Sequence, residues 1–233
     1  MKPIIQLINV SRRVTYTGSV FELRNINMTV YPNEIVLLLG RTGSGKTSIF
    51  HIIAGFDKPD SGSVYVCGYN VIEKGFSWTL AECVSYMPQK PLLIPGLTVR
   101  ENVIYATKGE SDGSEIVKPI GEQLGLTSIM DKKVSILSGG EQRLASLLVA
   151  LARNKPILLL DEPTIFLDAE RRSYVIQFVA SLKRERTVLI ATHDPAVLKI
   201  ADRIYVVEDG KVSETSRHEI LRSLYAGNED GES

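Results

Sequence analysis

The chain has no net charge to offer: Lys+Arg 27 balance Asp+Glu 27. That removes the electrostatic footprint of a dedicated nucleic-acid binder, and no DNA or RNA partner is expected. Long apolar runs are missing too. The longest nearly apolar stretch, Leu144 to Ala152, is broken by Ser146 and falls short of the roughly 18 to 20 residues that span a bilayer. The start, Met1-Lys2-Pro3-Ile4-Ile5-Gln6, lacks an apolar leader core and a small-residue cleavage site, so a cytoplasmic protein is expected. Cysteine is scarce. Cys67 and Cys83 have no second Cys or His pair near them at metal-ligand spacing, which reads as packed, reduced thiols.

What is present is ordinary globular composition, with 44% hydrophobic and 23% charged residues in 233. That length suits either one large domain with an inserted subdomain or two domains. Ile35 to Leu39, Ile157 to Leu160 and Val188 to Ala191 are short, continuous apolar runs, as expected of strands buried on both faces of a parallel sheet. Helical patterns lie between them, at Thr47 to Ala54, Gln142 to Ala152 and Arg171 to Leu182. The reading is α/β, with chemistry at the carboxyl ends of the strands. Ile5 to Val14, Val20 to Val30 and Gly62 to Val71 alternate instead, between turns at Thr17-Gly18, Pro32-Asn33 and Asp60-Ser61-Gly62. They predict an antiparallel layer beside the parallel sheet. From about Pro91 to Leu137 the chain turns helical and polar, with a loop at Lys108 to Ser114, and reads as an inserted helical subdomain.

Gly40-Arg41-Thr42-Gly43-Ser44-Gly45-Lys46-Thr47 matches G-x-x-x-x-G-K-[ST] between a buried strand and an apolar helix, the context a phosphate loop requires. Its glycines let successive N–H groups ring an anion at the positive end of the helix. Lys46 would reach the β- and γ-phosphates, Thr47 would offer a hydroxyl to Mg²⁺, and Ser48 adds a further phosphate contact. The run Ile157 to Leu160 ends in Asp161-Glu162, two carboxylates that need a cation or a reaction to justify them. Neighbours on a strand point oppositely, so different roles are expected: Asp161 for Mg²⁺, Glu162 for the attacking water. A second phosphate-binding element is suggested by Leu137-Ser138-Gly139-Gly140-Glu141-Gln142, a serine and glycine pair opening another helix. One chain would then carry two half-sites.

Taken in order and spacing, the phosphate loop, Gln89, Leu137 to Gln142, Asp161-Glu162 and His193 resemble an ABC-transporter ATP-binding subunit over nearly the whole chain. The resemblance implies a RecA-like P-loop core with an antiparallel β subdomain and an inserted α-helical subdomain. It implies a head-to-tail dimer of this chain, or of it and a related ATPase subunit, sandwiching two ATP with Mg²⁺. The corresponding boundaries are 1–88 for the first part of the core, 89–154 for the helical subdomain, 155–217 for the rest of the core, and 218–233 for a tail disordered at its end. By position, Gln89 resembles the loop glutamine that senses Mg²⁺ and the attacking water, and His193 the switch histidine at the γ-phosphate. Ser138, Gly139, Gly140, Gln142 and Asp168 resemble the residues that reach the partner subunit's nucleotide. Tyr16 takes the place of the aromatic that stacks on adenine, favoured over Phe21 because its context is a polar turn.

Pro91 to Val103 looks most like ATPases of the lipoprotein-release and macrolide-export type. A transmembrane permease is then the implied partner, docking near Leu92 to Leu97 and holding the protein peripherally on the cytoplasmic face of the membrane. Two places depart from the family pattern. Arg143-Leu144-Ala145 moves a basic residue by one position, leaving Val149 where arginine is common, and Ile165-Phe166 replaces a small or polar pair before Leu167-Asp168. Two other readings stay open: a soluble ABC ATPase acting on ribosomes or nucleic acid, and a regulatory module that binds ATP without hydrolysing it.

Overall fold

In this computed structural model the chain is described over residues 1–16, 19–108 and 114–222. The turn expected at Thr17-Gly18, most of the loop after Lys108 and the end of the tail lie outside the described residues. The elements run β1 (Ile5–Tyr16), β2 (Ser19–Val30), β3 (Ile35–Leu39), α1 (Lys46–Ala54), β4 (Ser61–Val66), β5 (Tyr69–Asn70), α2 (Val71–Lys74), α3 (Phe76–Trp78) and β6 (Val84–Met87). They continue with α4 (Val99–Ala106), α5 (Ser114–Gln123), α6 (Gly139–Ala152), β7 (Ile157–Asp161), α7 (Ala169–Ser181), β8 (Thr187–Thr192), β9 (Arg203–Glu208) and β10 (Lys211–Thr215).

The three continuous apolar runs become β3, β7 and β8, interior strands of a six-stranded sheet in the order β10-β9-β3-β8-β7-β6. Neighbours pair in parallel except the β9–β10 hairpin. The runs are continuous because both faces are covered. Ile35, Leu37, Leu158, Leu160, Val188 and Ile190 point into one core, and Val36, Leu38, Ile157, Leu159, Leu189 and Ala191 into another. The first core is closed by α4, α6 and α7, the second by α1 and the antiparallel sheet. Each fully buried Leu or Ile adds about 1.5–3 kcal/mol, so a polar residue on any of these three strands would cost stability whichever face it took.

The alternating N-terminal segments form the expected antiparallel sheet, in the order β2-β1-β4-β5. Ile5, Leu7, Leu23, Ile26, Met28, Val64 and Val66 turn inward, facing the helix behind the phosphate loop. Register shifts after Leu7 and Val10 mark bulges, one of them at Asn9, whose φ is 51°, a conformation asparagine tolerates.

The segment after Gln89 differs from the expected helix at its start. Residues 91–98 are irregular, pinned by the buried Asn102, whose amide accepts from Ile94 N (2.7 Å) and donates to Thr98 O (2.8 Å) and Ile94 O (3.2 Å). The two prolines, Pro91 and Pro95, account for the missing helix, since neither can supply an N–H and each biases the residue before it away from helix. Thr98 then starts α4 with a capping box to Glu101. At the other end of the chain, residues 217–222 are helical, so the segment read as a tail begins inside a helix.

Candidate active site

β3 ends at Leu39 and α1 starts at Lys46, leaving the phosphate loop as a turn of six residues between them. Two of its glycines are required by space. A Cβ on Gly40 would lie 2.3 Å from the Val207 carbonyl oxygen, and one on Gly45, where φ is +113°, would lie 2.7 Å from the side chains of Phe21 and Leu23. Gly45 caps α1 without a side-chain hydrogen bond, and the first turn holds no acidic residue. The first amides of α1 and the positive end of its dipole are therefore left for an anion. The Lys46 ammonium folds over the loop, donating to Gly40 O (2.6 Å) and Arg41 O (3.0 Å).

The chain's own half-site gathers at one pocket of about 270 Å³, lined by Phe21, Thr42, Gly43, Gly45, Lys46, Thr47, Ser48, Gln89, Asp161 and Glu162. The expectation that the two carboxylates point oppositely is corrected here. Asp161 is the last residue of β7, but Glu162 has left the strand with φ 51°, and that left-handed twist turns its side chain to the same pocket. The conformation costs about 1–2 kcal/mol in a non-glycine residue. A bond from Glu162 N to Ala191 O (2.7 Å) holds it.

The two acids still part in their partners. Asp161 accepts a hydrogen bond from the Thr47 hydroxyl at 2.7 Å. Glu162 accepts one from the Thr192 hydroxyl at 2.8 Å, lies 2.9 Å from Nδ1 of His193 and 3.8 Å from the Lys46 ammonium. The His193 contact needs one proton on either Nδ1 or the carboxylate. Burial lowers the pKa of Lys46, opposed by the charges of Glu162 and Asp161. Burial raises that of Asp161, opposed by the Thr47 hydrogen bond. Each charge is costly where it stands, at the start of α1 and the end of β7, as in a site whose occupant compensates both.

Three residues at this site carry roles that the sequence reading did not assign them: Thr192 was given none, Phe21 was passed over in favour of Tyr16, and Arg143 was noted only as a displaced charge. Thr192 orients Glu162 and was hidden as the last residue of an apolar strand. Phe21, on β2, lines the pocket against Gly45. Arg143 is 1% exposed and lies behind the pocket wall. The backbone of Tyr16 closes β1; its ring lies outside the described part of the structure.

The second set does not line that pocket. Ser138 caps α6 in a reciprocal box, its hydroxyl donating to Glu141 Oε2 (2.7 Å) and accepting from Glu141 N (3.3 Å). Gln142 turns inward and donates to Leu137 O at 3.1 Å. Asp168 caps α7 through Arg171 N at 2.8 Å. Gly139 and Gly140 stand against the Phe166-Leu167 turn. A wider cavity of about 610 Å³ opens beside them, between α5, the start of α6 and α7, with Glu141 and Asp168 on its wall.

Residues 23–165 match the family model of the ABC transporter. A putative ABC transporter ATP-binding protein of Mycoplasma genitalium is 35% identical over 92% of this chain and 48% of its own length. A macrolide export ATP-binding/permease protein, MacB, of Haemophilus ducreyi is 33% identical over 91% of this chain and 32% of its own. The chain thus spans a third to a half of these two relatives. An uncharacterized ABC transporter ATP-binding protein of Methanocaldococcus jannaschii is 33% identical over 95% of this chain and 99% of its own. The dimeric post-hydrolysis structure of that cassette, bound to ADP and Pi, superposes with a TM-score of 0.82 at 30% identity, covering 91% of this chain and 98% of the other.

Proposed function

Because this chain belongs to the ABC transporter family, we propose that it is an ATP-hydrolysing subunit that dimerises around two Mg·ATP and drives a transmembrane permease. The observation that carries the reading is the convergence of Lys46, Thr47, Gln89, Asp161 and Glu162 on one pocket, with Ser138 and its glycines outside it. Lys46 and the loop amides meet the negative charge of the β- and γ-phosphates. Glu162, held by Thr192 and His193, takes a proton from the attacking water, and Gln89 orients that water.

Mg²⁺ suits the donor set. The Thr47 hydroxyl and the Asp161 carboxylate are hard oxygen donors 2.7 Å apart, and Mg²⁺ is commonly held by one or two protein oxygens, with phosphate and water completing the shell. With nucleotide bound, the ion would neutralise charge on the phosphates. The burial that raises the Asp161 pKa would be offset by the cation.

The same reading assigns passage through the bilayer to a permease and sets this chain on its cytoplasmic side; no described helix is long and apolar enough to cross a membrane. Leu92 is 76% and Ile94 37% exposed a few residues after Gln89 in the chain, whereas Leu93 packs against the core. The docking patch is therefore the outer side of that loop. The divisions at 88/89 and 154/155 follow the same reading, since β6 ends at Met87 and α6 at Ala152, whereas 217/218 falls within the helical residues 217–222.

The deciding variant is Glu162→Gln, assayed for phosphate release and for size in the presence of Mg·ATP. Turnover should drop at least about 100-fold while nucleotide binding persists and ATP-dependent dimers accumulate. Near-normal turnover would remove Glu162 as the base.

A further inference from the structure

Arg143 is the basic residue that departs from the family pattern by one position. On a helix one position is about 100° of rotation, enough to carry a side chain from one face to another. Leu144 accordingly packs into the helical-side core, and the Arg143 guanidinium is driven against the strand ends. There it donates to four backbone carbonyls. Nη1 reaches Pro88 O and Gln89 O, both at 2.8 Å, Nε reaches Glu162 O at 3.1 Å, and Nη2 bonds Asp161 O and Glu162 O.

Those carbonyls belong to two segments that the sheet no longer joins. β6 and β7 pair in parallel from Val84↔Ile157 to Met87↔Leu160 and no further. Beyond that point one chain leaves for the Gln89 loop and the other turns left-handed at Glu162. The guanidinium continues the link past the end of the ladder, with a planar, rigid fork in place of strand hydrogen bonds. Burial brings its pKa down to about 10, with Asp161 and Glu162 acting against the shift, so it stays cationic at neutral pH. Arg143 also lies on α6, five residues after the Ser138 cap.

We propose that Arg143 is a positioning residue tying the Gln89 loop and α6 to Glu162, so that movement of either is passed to the base of the chain's own site. Under the dimeric reading, on which this rests, Ser138 engages the partner's nucleotide, and Arg143 then connects one site to the other.

The test uses the full chain and the variants Arg143→Lys, Gln89→Ala and their combination, with kcat, KM and the affinity for a fluorescent ATP analogue measured for each. Lysine keeps the charge but cannot span both segments. Arg143→Lys should lower kcat by about 10- to 100-fold, with KM and nucleotide affinity within about threefold, and adding Gln89→Ala should cost no more than about a further twofold. A kcat within twofold of the parent, a loss that follows nucleotide affinity, or effects that multiply would each overturn the proposal. Should the lysine variant fail to fold, amide exchange of the unaltered chain decides: on adding a non-hydrolysable ATP analogue, residues 88–92 and 161–165 should gain protection together. Independent responses of the two segments overturn it. An unaltered chain without turnover would instead remove the hydrolysis reading, leaving the exchange measurement to judge Arg143.

Discussion

The two half-sites proposed for this chain are built on opposite terms. Around the phosphate loop, buried charges are cross-linked within the chain: Thr47 to Asp161, Thr192 and His193 to Glu162, Lys46 to the loop carbonyls. At Ser138 the polar groups satisfy only their own helix, through the capping box with Glu141. Around it Ile136 is 71% and Phe166 75% exposed. One half-site holds its geometry by itself, and the other offers an ordinary helix start ringed by apolar side chains. A self-sufficient pocket suits binding, while a surface with exposed apolar groups suits being completed by another molecule.

The contrast breaks most severely at Lys46. Lys46→Met removes the ammonium proposed to meet the phosphates, so turnover should fall by at least about a thousandfold, and nucleotide affinity should fall with it. Retained tight binding by that variant, measured by titration, would mean the loop amides suffice and the first half-site is less dependent on its lysine than its burial implies.

A smaller effect of different character is expected at Gly139. A Cβ there meets only Phe166, at 3.9 Å, and an acid in the first turn of α6 favours the helix dipole. Gly139→Asp should therefore keep its melting temperature and its affinity for ATP as a monomer. It also places negative charge where the partner's phosphate would land, so turnover should fall about 10- to 100-fold. If affinity of the monomer falls in parallel, the two halves are not separate and the contrast fails.

Legibility in the sequence followed the same division. The phosphate loop, the acidic pair and the strands beneath them were readable because a sheet buried on both faces demands continuous apolar runs, and the anion demands glycine at set positions. The orientation of Glu162 was not. Alternation along a strand holds only while the strand continues, and the left-handed residue right after Asp161 has no sequence mark of its own. β6, at Val84–Met87, and the edge hairpin β9–β10 also escaped notice. β6 is only four residues long and holds Ser85, β10 is mostly polar, and the apolar run of β9, Ile204 to Val207, is only four residues between Arg203 and Glu208, so each is a weak signal by itself. Arg143 was visible only as a misplaced charge. Its meaning depended on which face of α6 meets the strand ends, a tertiary fact that helical periodicity alone does not supply.

Phe166 gives the finest test of the comparison, because the two halves predict opposite signs from one change. Its φ is 65° and its ring is mostly in solvent, so in the single chain it bears left-handed strain without burial in return. Asparagine tolerates that backbone. Phe166→Asn should relieve about 1 kcal/mol and raise the melting temperature of the monomer by about 2–4 °C. In the ATP-bound dimer of the Glu162→Gln background, the same substitution removes apolar surface beside Gly139 that the partner would cover. Dissociation should become about tenfold easier there, as expected for losing roughly 1–2 kcal/mol of burial. Sedimentation and thermal unfolding of the one variant therefore separate the cases. A more stable monomer with a weaker dimer supports a loop strained for its partner, whereas a destabilised monomer would place the Phe166 ring in the chain's own packing and return this half-site to the self-contained kind.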